Sequence, residues 1–257
     1  MKKTSKKPLI IAVIPARYAS TRFEGKPLAM IMGKPMIQHV YERAVRSGSV
    51  DEVVVATDDE RIERCVREFG GKVVMTSSSH HTGTDRIAEV ARKSTADIIV
   101  NVQGDEPLLD PNMIEEVIAP LIKDSEISVV TLASRITDPA DFVDLSNVKV
   151  VMDPRCNVLF MSRAPIPHPK SREHYCVHKQ IGLYAFRREY LIAFAAMRQT
   201  PLEVIEGVEL LRVIESGHKL RAAITECRTY SVDTPADLAE VIRIMKRMRL
   251  PKERRGL

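Results

Sequence analysis

Short apolar, β-branched runs alternate with helical patterns through the first half of the chain. Leu9–Ile14 is unbroken apolar sequence and predicts a buried strand. From Pro35 to Ser47, Ile37, Val40, Tyr41, Ala44 and Val45 recur on one side of a helix, with proline at its first position. Glu52–Ala56 predicts a second strand. Asp59–Phe69 predicts a helix that stops at Gly70-Gly71. Lys72–Thr76, Thr84–Lys93, Asp97–Val102 and Pro111–Ile122 continue as strand, helix, strand, helix. This βαβα rhythm predicts an α/β fold with a predominantly parallel (mixed) central sheet and helices on both faces.

The second half is less regular. Val148–Met152 and Val158–Met161 predict a hairpin around Asp153-Pro154. Residues 163–173 hold three prolines and read as a loop or extended arm. Val177–Phe186 predicts a strand, Leu202–Glu215 one helix, Leu220–Thr225 a strand, and Pro235 to about Arg249 a last helix. Without repeats or low-complexity linkers, the expected organisation is one domain over 9–245 with an arm at about 163–187. Basic tails would flank it, a disordered one at 1–8 and another at 246–257.

Composition narrows the classes. A chain of 257 residues, 44% apolar and 28% charged, fits a soluble globular protein that needs no disulfide or metal staple. The net charge of +5 resides in the ends, whose +9 leaves −4 for the body between them. That distribution, with no tryptophan, argues against a nucleic-acid partner. No stretch approaches a membrane span, so no membrane partner is expected. The basic start and its short apolar run read as a tail and a strand, not a signal peptide. Cys65, Cys156, Cys176 and Cys227 show no metal or redox spacing, which fits a reducing, cytoplasmic setting.

Candidate chemistry begins directly after the first strand, at Pro15-Ala16-Arg17-Tyr18-Ala19-Ser20-Thr21-Arg22-Phe23-Glu24-Gly25-Lys26. Ligands of open α/β sheets bind outside the carboxyl ends of the strands. Three cations, two hydroxyls and a glycine there suit anionic oxygens, although a surface loop with solvated cations has the same composition. Arg17 can fork onto phosphate oxygens, and Lys26 supplies a point charge. Neither GxxxxGK[ST] nor GxGxxG is present. The Asn101-Val102-Gln103-Gly104-Asp105 segment ends another strand at the same edge, so Asp105 faces this loop. A carboxylate so placed suits Mg²⁺, which takes one or two carboxylates plus substrate phosphates. Asp233, before Thr234-Pro235, reads by default as a helix cap, with a metal ligand as the alternative, and Glu106 as a surface or supporting group. No nucleophile–base arrangement is suggested by spacing, and the remaining histidines read as packing or surface residues.

PARYASTRFEGKPL at 15–28 resembles the signature of the sugar nucleotidyltransferases, most closely the 3-deoxy-manno-octulosonate (Kdo) cytidylyltransferase family, also called CMP-Kdo synthetases. The likeness continues in order with GKPMIQHVYERA at 33–44, VVVATDDERI at 53–62, HTGTDRIAEV at 81–90, VNVQGDEPLLDP at 100–111, NVKVVMD at 147–153, SRAPIP at 162–167 and VDTPADL at 232–238. The resemblance implies a fold of the nucleotide-diphospho-sugar transferase type, and transfer of CMP from CTP to a sugar acid for lipopolysaccharide or related surface polysaccharide. It implies Mg²⁺ on Asp105 and Asp233, and nucleotide contacts at Ala16, Arg17, Lys26, Gly83, Thr84 and Arg86. Sugar contacts would fall at Gln103, Arg163, Tyr184, Glu209 and Gln180. The family is commonly dimeric, so a homodimer is expected, with the proline-rich arm as one candidate contact.

Two positions depart from the family pattern. Gln180 stands where the family usually has histidine, and Leu210 where it more often has glutamine. Both concern the sugar side, which leaves an 8-amino analogue or an acylneuraminate open as acceptor. A glycosyltransferase of similar architecture and a nucleotide-binding homologue without turnover are the more distant alternatives.

Overall fold

A computed structural model describes residues 7–19, 23–170 and 176–249. Its strands are β1 (Ile10–Ala16), β2 (Met30–Ile31), β3 (Lys34–Pro35), β4 (Glu52–Thr57), β5 (Val73–Met75), β6 (Ile98–Asn101), β7 (Val129–Arg135), β8 (Lys149–Met152), β9 (Val158–Ser162), β10 (His178–Arg187) and β11 (Leu220–Thr225). Its helices are α1 (Met36–Val45), α2 (Glu60–Glu68), α3 (Gly83–Arg92), α4 (Pro111–Lys123), α5 (Pro139–Val143), α6 (Arg188–Ala196), α7 (Pro201–Glu206), α8 (Leu211–Glu215) and α9 (Pro235–Arg249).

The main sheet runs β11-β7-β10-β6-β1-β4-β5, and β8 adds to β10 and carries β9. Neighbours along the path pair in parallel except around β10, which is antiparallel to both β6 and β7. The expected mixed, mostly parallel sheet is therefore present. Alternation along β1 shows why it is buried on both faces. Ile10, Ala12 and Ile14 join α1, α2 and α4 on one side, while Ile11 and Val13 join α3 and α6 on the other. Helix α9 has a smaller core of its own. There Val241 and Leu238 pack with Ile31 and Met36 beside the β2–β3 hairpin.

Three expectations change. The single helix over 202–215 is two short ones, α7 and α8, broken at Gly207, whose φ is 61°. Glu209 thus lies in the connection between them, not within a helix. Strand β7 and helix α6 were not anticipated. The expected tail from 246 begins as helix, because α9 continues to Arg249. The rest of the two tails (1–6 and 250–257), Ser20, Thr21, Arg22 and residues 171–173 of the arm lie outside the described residues.

Candidate functional site

Strands β1, β4 and β6 are parallel neighbours, so their carboxyl ends share one edge. The segment after β1 turns back on itself there. Gly25 donates its N–H to the Tyr18 carbonyl at 3.0 Å and adopts a left-handed φ of 67°, a conformation that suits glycine. A short 3₁₀ turn at Lys26–Leu28 follows. It delivers the Lys26 ammonium 2.7 Å from Asp105 Oδ2 and 3.3 Å from Asp233 Oδ1. Three segments far apart in sequence therefore meet at one cation.

Local chemistry explains how each acid arrives. Asp105 sits in the turn after β6, and its carbonyl accepts the Val232 N–H at 2.9 Å, which ties that turn to the approach of α9. The cap of α9 is made by others. Thr234 Oγ1 accepts the Asp237 N–H at 3.3 Å, and Asp237 Oδ2 accepts the N–H groups of Asp233 and Thr234 at 3.0 and 2.8 Å. The Asp233 carboxylate reaches Lys26, and its side chain is 40% exposed. Glu106 has a different environment. Burial first, and the charge of Asp105 second, push its carboxyl up to about 7.

Lys26, Asp105 and Asp233 line a cleft of about 310 Å³ together with Ala16, Arg17, Gly83, Arg86 and Gln103. Its far wall is the start of α3. Thr82 caps this helix in a reciprocal box with Asp85. Arg86 is only 4% exposed and is committed to Asp58 at 3.0 Å and Thr76 Oγ1 at 2.5 Å. It braces the wall more than it offers a free cation. His80, His81 and Thr82 also line the cleft, contrary to the expectation of packing or surface histidines. His81 and Thr82 belong to the HTGTDR motif, and His80 directly precedes it. His80 Nε2 contacts Glu89 Oε2 at 2.7 Å. Lys93, the Ser77 N–H and His80 together hold the Glu89 carboxyl down to about 2.

The expected sugar residues divide. Gln103 lines the cleft and bonds Asn101 Oδ1 at 3.2 Å. Tyr184, Gln180 and Glu209 do not line it, nor does Thr84, expected at the nucleotide; they make a polar cluster around β10, whose Gly182 lies against Gln103. Gln180 Nε2 donates to the Tyr184 hydroxyl at 3.2 Å, and Thr84 Oγ1 donates to Glu209 Oε2 at 2.5 Å. Glu209 Oε1 is buried with no hydrogen-bond partner among the described residues. Burial raises the pKa of Glu209 and of Tyr184. Arg163 is elsewhere. Its guanidinium donates to the carbonyls of Leu145, Ser146, Glu206 and Gly207, so its donors are spent on backbone.

Two carboxylates sharing one cation are a donor set that fits a divalent ion. Among the described residues no group of three or more His, Cys, Asp or Glu is arranged for a metal. The acidic pair would therefore hold an ion only together with oxygens from phosphate and water, the habit of Mg²⁺.

Comparison with known proteins places most of the chain beside characterised relatives. The cytidylyltransferase family model matches residues 11–220. The 3-deoxy-manno-octulosonate cytidylyltransferase of Geobacter metallireducens is 51% identical over 252 residues, which cover 94% of this chain and 99% of the relative. That of Geotalea daltonii is 52% identical over 249 residues, 92% and 98% of the two chains. Among solved structures, a CMP:2-keto-3-deoxy-manno-octonic acid synthetase complexed with CTP superposes with a TM-score of 0.90 at 43% identity, over 93% of this chain and 99% of that one.

Proposed function

The chain belongs to the cytidylyltransferase family, and on that footing we propose that it activates 3-deoxy-manno-octulosonate with CTP, giving the CMP-sugar and pyrophosphate. The observation that carries the reading is the meeting of Lys26, Asp105 and Asp233 in one cleft at the carboxyl edge of the sheet, with Arg17 on its rim. Arg17 and Lys26 supply cations for triphosphate oxygens, and the acids beside them suit a phosphate-bound cation.

In this reading the anomeric hydroxyl of the sugar acid attacks the α-phosphorus of CTP, its proton is lost, and the bond to the leaving pyrophosphate breaks. Arg17 and Lys26 bind the triphosphate oxygens and hold charge on the departing group. Asp105 and Asp233 would hold Mg²⁺, which when bound supplies charge neutralisation at the phosphates. Release of Lys26 from the two acids then frees its ammonium for the nucleotide. The first turn of α3, from Gly83, presents backbone N–H groups to the nucleotide. Gln103 reaches the acceptor from the cleft floor, and the Tyr184–Gln180–Glu209 cluster supports that floor from behind. Catalysis is positioning and electrostatics, without a covalent enzyme intermediate.

The sugar product implies a role in lipopolysaccharide or related surface polysaccharide. The four cysteines are all unpaired, which suits a reducing cytoplasm. No helix among the described residues is long and apolar enough to cross a membrane. The assembly is a homodimer in this reading. Its support is the exposed apolar set Val143, Leu145, Val204 and Ile205, on segments that Arg163 ties together. Sedimentation of the full chain should give a two-chain particle, and a one-chain particle at assay concentration would remove the dimer.

The test of the activity is a matrix of the four nucleoside triphosphates against several ulosonic acids, scored by released pyrophosphate. CTP with 3-deoxy-manno-octulosonate should give the highest kcat/KM. Turnover confined to an 8-amino analogue or an acylneuraminate would move the acceptor. No pyrophosphate from any pair would defeat the reading.

A further inference from the structure

The neighbouring acids Asp58 and Asp59, at the carboxyl end of β4, line no part of the cleft, yet each grips one of its walls. Asp59 accepts two bonds from the Arg61 guanidinium, from Nε to Oδ1 at 3.0 Å and from an Nη to Oδ2 at 2.7 Å. It also accepts the Arg61 N–H at 2.9 Å as the cap of α2, so the acid is fixed to a rigid element. The guanidinium so held lies over the Tyr18 ring, its central carbon 3.3 Å from the ring centroid. Tyr18 also lies against Gly25, where a Cβ would stand 3.1 Å from the ring, and packs on the main core. The Gly25 N–H to Tyr18 carbonyl bond closes the same loop. Arg17 and Lys26, the two cations offered to phosphate, are the residues immediately outside that closure.

Asp58 acts on the opposite wall. Its carboxylate pairs with the buried Arg86 at 3.0 Å, which also reaches Thr76 and so fixes the start of α3 to the ends of β4 and β5. Arg61 remains 57% exposed on its side chain, so its pairing is not explained by core packing.

We propose that Asp58 and Asp59 are positioning residues that set the two walls of the nucleotide cleft, Asp59 acting through Arg61 stacked on Tyr18 and Asp58 acting through Arg86. The proposal rests on the nucleotidyl-transfer reading of the cleft for its ligand. The clamp itself is a property of the unliganded chain, so the two can fail separately. Arginine over an aromatic face is attracted by the ring quadrupole, and holding the guanidinium in a carboxylate fork removes much of the entropic cost of keeping it there.

The chain has no tryptophan, which permits a direct reporter. Tyr18→Trp puts a single indole under Arg61, and tryptophan is the best aromatic for this contact. In that background Arg61→Gln or Asp59→Asn should shift indole emission to longer wavelength and raise its quenching by acrylamide, while Asp58→Asn should leave both unchanged. In the natural sequence, Arg61→Gln should raise the Kd for CTP on the order of tenfold, with melting within about 2 °C. Arg61→Lys, which keeps the charge but loses the fork, should restore only part of it. The KM of the sugar acid should not move. Asp58→Asn should weaken CTP binding without altering the reporter. Indole spectra indifferent to Arg61 and Asp59, or CTP affinity indifferent to both branches, would overturn the proposal. Failure of the unmodified chain to bind CTP would instead count against the nucleotide reading, and the reporter would still judge the clamp.

Discussion

The Lys26 ammonium stands between acids 128 residues apart in the sequence, and its position shows how much a single side chain organises here. The same economy appears at Glu89, which gathers Lys93, the Ser77 N–H and the cleft histidine His80 on one carboxylate. Its pKa is depressed in the folded chain to about 2, so its contribution to stability is present above the unfolded carboxylate value of about 4.3 and is lost as pH falls toward 2. Its partner Lys93 is solvent-exposed, so screening limits the effect to about 1 kcal/mol. Glu89→Gln should therefore lower the melting temperature by a few degrees at pH 7 and by distinctly less at pH 2.5, where part of the native carboxylate has taken up its proton, read by calorimetry. An equal loss at both values would show that the carboxylate charge is irrelevant. Single-residue roles were only partly legible in sequence. Types and motif neighbours marked Arg17, Lys26, Asp105 and Asp233, but Arg163 and Arg86 spend their donors on protein atoms, a fact that depends on which carbonyls and acids the fold brings near.

At the scale of elements, strands buried on both faces read clearly because β-branched runs leave little ambiguity. Strand β7 escaped because Val129–Arg135 follows a polar stretch and ends in Ala-Ser-Arg, so its apolar part is short. The 202–215 segment reads as one helix by composition. A left-handed Gly207 divides it, and the division puts Glu209 in a connection beside Thr84, where its carboxylate reaches the first turn of α3. Helix α9 illustrates a related point. Its sequence admits Asp233 as cap, but the neighbouring Thr234 and Asp237 satisfy the first N–H groups. Which acid caps a helix is decided by competition among neighbours, and a reading of one residue at a time does not resolve it.

Across the whole molecule, the sheet edge is the organising feature. Strands β1, β4 and β6 deliver a cationic loop, the Asp58–Asp59 pair and Asp105 to one side, and the approach to α9 brings Asp233 from far along the chain. Topology of this kind was expected from the βαβα rhythm, whereas the antiparallel insertion of β10 between β6 and β7 depends on long-range pairing that local pattern does not encode. The central claim is that Asp105 and Asp233 act as one unit with the phosphate-binding cations. A double-mutant cycle of pyrophosphate release tests it most directly, using Asp105→Asn, Asp233→Asn and the pair at saturating Mg²⁺ and CTP. Each single change should cost about 10²–10³ in kcat, and the pair should cost little more than the worse single change, because groups that act together lose their effect together. Near-full turnover in either single variant, or strictly multiplicative losses in the pair, would contradict it.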